Sequence, residues 1–271
     1  MTTDRVLGLR RAEALARAMN KRWGVRAPAD IQIEKFAAAR GVQIVEGGVT
    51  GAMARLCWGP RPIIRVSELV ADPAEQKWCT CHELAHLICK HPPDEIDHLC
   101  KHERPYKPPR AGVERHYEAE ANVFTAELMM PRDQLSKRCE IAAPSLEIAY
   151  AIAKDFMTPI AASAIRFVEL TPERCCVVYS ERGKVVWAVP STTFSANITR
   201  GARLDRRSVA FDWHDRQKLD DRAQPIVADA WLSTHQDVEI VEHSAPLATT
   251  NGVITLLWVP EAVAPQLKMA S

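Results

Sequence analysis

Apolar positions with helical spacing dominate the N-terminal part of the chain. The stretch RRAEALARAMNKR at 10–22 places Ala14 and Met19 on one side, as an amphipathic helix does. A second helical stretch, IQIEKFAAAR, begins shortly after Pro28 and is followed by Gly41. Proline near a helix start and glycine just past its end is the polarity that helices prefer. We therefore predict two helices ahead of the first strands.

Short β-prone segments come next and lead into another helix. VQIVEGG, GAMARLCWG and PIIRVS are punctuated by glycine and proline, which predicts a small antiparallel sheet. Asp72 and Pro73 then start a helix that carries CTCHELAHLICK and should end near Lys90. The segment 92–112 holds five prolines and is typical of a loop. Beyond it, GVERHYEAEANVFTAELMM is strongly helical and stops at Pro131.

The hydrophobic pattern changes near residue 172. Before this point, PRDQLSKRC, SLEIAYAIAKDF and IAASAIRFVEL are three further helical stretches. After it, RCCVVYS and VVWAVPS flank the polar ERGK, which predicts a β-hairpin, and DVEIVEH and GVITLLWVP are typical of later strands. We predict an α+β fold with a mainly helical domain over 1–172 and a β-rich domain over 173–271.

Composition narrows the class of protein. The 271 residues carry 35 Lys and Arg against 34 Asp and Glu, so net charge gives no reason to expect a polyanionic partner. The first residues lack the apolar core of a secretory signal, and no window approaches the roughly 18 uninterrupted apolar residues of a membrane span. Eight cysteines in such a chain are expected to be reduced thiols. These features predict a cytoplasmic globular protein without a membrane partner.

The sequence HELAH at 82–86 is the strongest chemical signal in the chain. His82 and His86 lie four positions apart, so on a helix their imidazoles share one face and can reach one metal ion. Glu83 is turned about 100° around the helix axis, where it can reach a water beside that ion. Most residues around the motif are apolar, and burying these polar side chains without a purpose would be costly. We therefore predict a metal site of the H-E-x-x-H type.

A catalytic zinc site needs a third protein ligand, whereas a structural site closes all four positions with side chains. The helix around EAEAN at 118–122 supplies candidate carboxylates. Its buried stripe is predicted to consist of Ala121, Phe124, Thr125 and Leu128. Glu118 lies beside this stripe and is the better ligand, while Asn122 is placed to brace a histidine from behind. Glu120 lies on the opposite flank, and we interpret it, like Glu127, as plain surface charge.

The two motifs together carry a family resemblance. HELAH followed by EAEANVFTAELMMP resembles the ImmA/IrrE family of zinc metallopeptidases, and the upstream helix, short strands and ADPAEQKWCTC fit the same pattern. The resemblance covers about residues 10–170 and includes a helix-turn-helix-like segment at about 144–170. Small residues replace the family's usual ones at Cys81, Ala85 and Thr125. The proline-rich segment looks longer than in the family and could cover the cleft.

The resemblance implies a zincin-like, thermolysin-like core that holds one zinc ion. By position, His82, His86 and Glu118 would bind the zinc and Glu83 would be the general base. It further implies a cytoplasmic metalloendopeptidase that cleaves a regulatory protein, expected to be a helix-turn-helix transcriptional repressor, in gene regulation or a stress response. Two alternatives stay open. One is a non-proteolytic regulator that binds a repressor or DNA through this scaffold. The other is a defence-type or toxin-type effector protease, with a sensory or substrate-docking domain at 173–271.

Further cysteines and histidines raise the question of a second metal. The candidates for a second, structural zinc site are Cys89, His91, His98, Cys100 and His102. Their spacing matches no standard zinc finger, because no C-x-x-C pair is present, so we expect one zinc per chain. Cys79 and Cys81 are interpreted as small core residues. Cys175 and Cys176 would face opposite sides of a strand, which predicts one buried and one exposed thiol.

Other polar candidates remain without an assigned role. Peptide hydrolysis needs an oxyanion-stabilising donor, and His116, Tyr117 and Tyr106 lie near the motif without a feature that chooses among them. The helix-turn-helix-like segment offers only Arg166 to DNA, where recognition usually needs several such side chains, so we favour a packing role. The tryptophans of the C-terminal part are expected to fill a core.

Overall fold

Helices and one small sheet build the part of the chain that carries HELAH. The computed structural model describes residues 3–93, 114–233, 237–247 and 250–267. The chain divides into two units, Met1–Gln134 with Ile152–Ala162 and Leu135–Ala151 with Ser163–Ser271. Helices and strands both contribute substantially, so the predicted α+β class is confirmed. The domain boundary near residue 172 stays a prediction.

Four α-helices of the first unit include the helix that carries the motif. They are α1 (Thr3–Arg22), α2 (Ile33–Ala38), α3 (Pro73–Cys89) and α4 (Glu114–Met129). Helix α1 buries Ala12, Ala16 and Met19 at helical spacing and packs along α4. Helix α2 is shorter than its sequence pattern suggests, because Pro28–Asp30 forms a separate 3₁₀ turn ahead of it.

The first unit's sheet differs from the predicted antiparallel arrangement. Its strands are β1 (Gln43–Gly47), β2 (Ala54–Cys57) and β3 (Ile63–Ser67), in the order β1-β3-β2. β2 pairs with β3 antiparallel, but β1 pairs with β3 in parallel, so the sheet is mixed and the prediction was wrong for that pair. The buried Ile64 and Val66 favour the central place for β3. As a result β1 pairs with β3 and not with β2, which follows it in the sequence. Strand β2 lies at an edge of the sheet, beside α3.

Helix α3 begins and ends as its sequence predicts. The Asp72 carboxylate accepts a hydrogen bond from the Ala74 N–H at 2.9 Å, which satisfies an otherwise free helix donor, and Pro73 takes the first helical position. At the other end Lys90 adopts a left-handed conformation with φ of 59°. The chain therefore turns back, and the His91 N–H donates to the His86 carbonyl at 3.1 Å.

Three further helices follow α4, and two of them meet at a sharp bend. They are α5 (Arg132–Leu135), α6 (Leu146–Phe156) and α7 (Ile160–Leu170). α6 and α7 are separated by a 114° bend, and Met157 at this bend has φ of 51°. Among the described residues, no single helix is both long and apolar enough to cross a membrane. The pair α6 and α7 meets that test of length and composition only when the two are taken together.

The second unit contains a five-stranded antiparallel sheet. Its strands are β4 (Arg174–Glu181), β5 (Lys184–Pro190), β6 (Gln224–Val227), β7 (Glu239–Pro246) and β8 (Gly252–Val259), in the order β5-β4-β8-β7-β6. Arg182 and Gly183 both have positive φ in the two-residue turn between β4 and β5, as a tight hairpin requires. Both Cys175 and Cys176 are buried. The predicted exposed thiol was therefore wrong, because β4 is covered on both faces.

A buried glutamate ties one helix of the second unit to this sheet. Glu242 of β7 is fully buried and accepts four hydrogen bonds. Two come from the Val209 and Ala210 N–H groups, which open helix α8 (Val209–Arg216). The others come from Trp231 Nε1 at 2.7 Å and Ser244 Oγ at 2.8 Å. The carboxylate therefore caps α8 in place of a side chain from the helix's own first turn.

Candidate metal centre

Helices α3 and α4 bring three ligand-type side chains to one point. His82 and His86 project from consecutive turns of α3, and their Nε2 atoms are 3.2 Å apart. Glu118 of α4 places Oε2 3.1 Å from His82 Nε2 and Oε1 3.3 Å from His86 Nε2. Both histidines are buried, and Glu118 is partly buried. Each side chain can offer one ligand atom to the same small space.

The spacing of these atoms fits a tetrahedral metal ion. Metal bonds of roughly 2.0–2.1 Å place neighbouring ligand atoms about 3.3 Å apart in a tetrahedron, which is close to the distances observed here. Glu118 Oε1 lies within ion-pair range of His86 but is a buried atom without a hydrogen bond of good geometry. Within the described ranges, no other three His, Cys, Asp or Glu side chains form such a group. The residues present therefore fit a divalent ion.

The charges of Glu118 and His82 are coupled. Burial disfavours the charged forms, but in both cases the partners outweigh it. The Glu118 carboxylate raises the pKa of His82, and the two imidazoles hold the pKa of Glu118 well below its ordinary range. Glu118 is therefore an anion over the whole physiological range, which is the state in which a carboxylate binds a metal ion.

Glu83 faces the sheet from the same turn of α3. It is buried, and its Oε2 accepts a hydrogen bond from the Leu56 N–H of the edge strand β2 at 2.7 Å. This bond leaves Glu83 next to the histidines in sequence but turned away from them around the helix axis. The carboxylate is consequently held at the edge of the sheet.

A comparison with protein families identifies this part of the chain. Residues 37–167 match the model of the peptidase M78 family, described as the IrrE N-terminal-like domain. The chain therefore carries an IrrE-like domain. This confirms the resemblance seen in HELAH and EAEAN, and all three clustered side chains lie within the matched segment.

Solved structures add a likeness in fold. A Mycobacterium tuberculosis transcriptional regulator superposes with a TM-score of 0.60 at 14% sequence identity, covering 94% of this chain and 78% of the other. At this identity the likeness concerns the fold alone. No curated protein matches the chain significantly in sequence.

A third histidine, His91, contacts the candidate metal centre from behind His86. His91 Nδ1 lies 2.9 Å from His86 Nδ1, and its Nε2 lies 3.3 Å from Glu120 Oε2. His91 is buried, and its ring contacts that of Tyr117 at a centroid distance of 4.8 Å. Burial, together with the neighbouring His86, lowers the pKa of His91 to about 3, so this imidazole is neutral.

Two glutamates of α4 differ from their sequence-based interpretation. Glu120 was expected to be surface charge but contacts His91, and Glu127 is buried with Oε1 3.1 Å from Nε of Arg17. The reason is that α1 covers this flank of α4. The apolar positions of α4 predict one buried face of this helix. The second buried face, which carries Glu120 and Glu127, is covered by α1 and cannot be predicted from the sequence of α4 alone. The stripe itself is buried as predicted, at Ala121, Phe124, Thr125 and Leu128.

The remaining candidates fall into three groups. Tyr106, His98, Cys100 and His102 lie outside the described residues, so neither the loop nor a second metal site there is tested. Asn122 lies near His82, but His82 Nδ1 and Asn122 Oδ1 make no hydrogen bond of good geometry, so its bracing role stays a prediction. Cys79 and Cys81 are buried as predicted, and so is Cys89.

Arg166, the single side chain that the helix-turn-helix-like segment could have offered to DNA, is not presented to solvent. Arg166 of α7 is buried and its Nη1 lies 3.2 Å from Glu169 Oε2. The helix-turn-helix-like segment therefore does not offer this guanidinium to a phosphate or a base. This burial supports the packing role expected for the segment.

Proposed function

We propose that the chain is a zinc metallopeptidase with a zincin-like core. The observation that carries the proposal is the tetrahedral spacing of His82 Nε2, His86 Nε2 and the Glu118 carboxylate. A set of three protein ligands leaves a coordination position for the reaction, unlike a closed structural site. Membership of residues 37–167 in a peptidase family supports the same conclusion.

The chemistry follows from the side chains around that centre. A zinc ion held there would act as a Lewis acid that polarises a peptide carbonyl and acidifies water. Glu83 would take a proton from the attacking water and deliver it to the leaving amine. Its bond to the Leu56 N–H fixes the carboxylate in one orientation, so that it needs little rearrangement during the reaction.

An extended peptide is the substrate that this site suits best. β2 lies at the edge of its sheet and is the strand whose backbone contacts Glu83. A peptide that pairs along a strand edge gains main-chain hydrogen bonds with little dependence on its sequence. We propose that the natural substrate is a cytoplasmic regulatory protein, specifically a helix-turn-helix repressor, as the family resemblance implies.

The proposal is tested by incubating the purified chain with the helix-turn-helix protein encoded beside it. Fragments identified by mass spectrometry should appear with zinc and disappear with a chelator. The Glu83→Gln variant should bind zinc as well as the wild type and cleave at least about 100-fold more slowly, because it lacks the general base. Cleavage by Glu83→Gln at the wild-type rate would refute the assignment. Binding of the repressor or DNA in a gel-shift experiment, without fragments, would favour a non-proteolytic regulator.

A further inference from the structure

A run of hydrogen-bonding side chains leads away from the candidate metal centre through His86. The Nε2 atom of His86 faces His82 and Glu118, and its Nδ1 atom faces Nδ1 of His91 at 2.9 Å. His91 in turn faces Glu120 through Nε2 at 3.3 Å. The run therefore consists of the ligand His86 on α3, His91 just after the C-terminal end of α3, and the Glu120 carboxylate on α4.

The chemistry of imidazole fixes how protons are placed along this run. A histidine that binds a metal through Nε2 carries its hydrogen on Nδ1. The His86 Nδ1–H can then donate only to an unprotonated Nδ1 of His91. With Nδ1 as acceptor, the His91 ring has its hydrogen on Nε2 and donates it to the Glu120 carboxylate. One tautomer of each ring satisfies all the contacts.

The backbone places His91 for this role. Because Lys90 is left-handed, the chain reverses after α3, and the His91 N–H bonds to the carbonyl of the same His86 whose side chain it meets. The ring of Tyr117 packs against the His91 ring. His91 is thus joined to His86 through both its backbone and its side chain, and it has little freedom to turn.

The carboxylate at the far end is confined by α1. A side-chain carbon added at Gly8 would collide with Glu120, so the glycine leaves the space in which this carboxylate lies. The Arg11 guanidinium of the same helix donates to the Cys89 carbonyl at 2.5 Å, which fixes the end of α3 against α1. Three helices therefore converge on the His91–Glu120 pair.

We propose that His91 and Glu120 are positioning residues that hold the His86 ring and its tautomer ready for the metal ion. This inference rests on the proposed function, since it needs a metal at the His82, His86 and Glu118 site. Carboxylates and carbonyls that accept a ligand histidine's second hydrogen typically change metal affinity about 10-fold to 100-fold when removed. Here His91 accepts the second hydrogen of His86, and the Glu120 carboxylate on α4 in turn accepts the hydrogen of His91.

The test compares two substitutions at His91 by their zinc affinity, measured in competition with a zinc-binding dye. His91→Phe keeps a ring of similar shape but removes the acceptor, and should weaken zinc binding about 10-fold to 100-fold. His91→Asn can place an amide oxygen near the position of Nδ1 and should stay within about threefold of the wild type. Glu120→Gln should fall between them. The matched control is Glu127→Gln, which removes a buried charge on the same helix and should leave zinc affinity unchanged.

A second readout separates positioning from simple loss of structure. The d–d absorption of a cobalt ion bound in place of zinc reports the geometry of its ligands. It should change in His91→Phe and stay as in the wild type in His91→Asn, while melting of the metal-free proteins shows whether each variant folds. Equal zinc affinity in all His91 variants would overturn the inference, and so would equal weakening by Phe and Asn. A wild-type chain that binds no zinc would instead overturn the proposed function itself.

Discussion

At the scale of single residues, the ligand side chains of the candidate metal centre already lie close to the positions that they would occupy around a bound ion. The Nε2 atoms of His82 and His86 are already 3.2 Å apart, which is close to their spacing around a tetrahedral ion. The orientation of the His86 ring is set by a neighbour as well as by the metal, because His91 Nδ1 lies 2.9 Å from His86 Nδ1. Preorganisation of this kind reduces the free energy lost when the ion binds.

Glu118 should be indispensable for that centre. Replacing it by Gln keeps its size but removes the negative charge that pairs with both imidazoles, so we expect zinc affinity to fall by at least about 100-fold. Equilibrium dialysis against buffered zinc measures the change. If Glu118→Gln bound zinc as tightly as Glu127→Gln, the third ligand would have to be another residue.

Glu242 gives a prediction about stability that is independent of the metal. Each of its carboxylate oxygens accepts two hydrogen bonds, and a Gln amide would turn an NH₂ group towards two of those donors. Glu242→Gln should therefore lower the free energy of unfolding by about 2–4 kcal/mol. Urea denaturation measures this, with Glu239→Gln, an exposed glutamate of the same strand, as the control. Equal midpoints for the two variants would show that the four bonds contribute little.

At the scale of secondary-structure elements, local signals predicted much of what the structure contains. Asp72 and Pro73 mark the start of α3, and the Arg182–Gly183 turn closes the predicted hairpin. Such features depend on neighbouring residues in the sequence. The parallel pairing of β1 with β3 depends on which strand occupies the centre, and short strands carry no local signal of their partner. The antiparallel prediction failed for that reason.

In the candidate site, too, the features set by neighbouring residues in the sequence were predicted, and the features set by contacts between distant segments were not. HELAH and the apolar stripe of α4 were enough to select His82, His86 and Glu118, because helical periodicity decides which residues share a face. The contact between His91 and His86 depends on the left-handed turn at Lys90, and the burial of Glu120 depends on α1. Neither is visible in the spacing of residues along α3 or α4.

The close approach of α1 and α4 leads to a prediction at this scale. Gly8→Ala should push the Glu120 carboxylate away from His91, while alanine in place of glycine favours the helix by up to about 1 kcal/mol. We therefore expect zinc affinity to fall although α1 itself becomes no less helical. Zinc competition together with thermal melting of the metal-free protein would detect this combination. Wild-type zinc affinity in the Gly8→Ala variant would show that Glu120 can shift without effect on the centre.

At the scale of the whole molecule, the two units have different architectures. The first holds the candidate metal centre between α3 and α4, and the second is built on the sheet of β4 to β8. Trp213 and Trp231 pack against the core of the second unit, in line with the core-filling role expected for its tryptophans. A sensory or substrate-docking role for this part of the chain stays a prediction.

Metal binding should be visible in the stability of the protein as a whole. An ion that binds only the folded state stabilises it in proportion to the logarithm of its concentration, by about 4 kcal/mol at 1,000 times its dissociation constant. Adding zinc to chelator-treated protein should therefore raise the melting temperature, and the rise should be absent in Glu118→Gln. A melting temperature that is independent of zinc in the wild type would contradict a metal centre in the folded chain.

The most direct test of the account is an anomalous diffraction measurement at the zinc absorption edge on crystals grown with zinc. The account predicts one strong peak per chain at roughly 2.0–2.2 Å from His82 Nε2, His86 Nε2 and a Glu118 oxygen. No other side chain should complete the coordination. A peak at other residues, no peak between α3 and α4, or a fourth side-chain ligand that closes the site would contradict it.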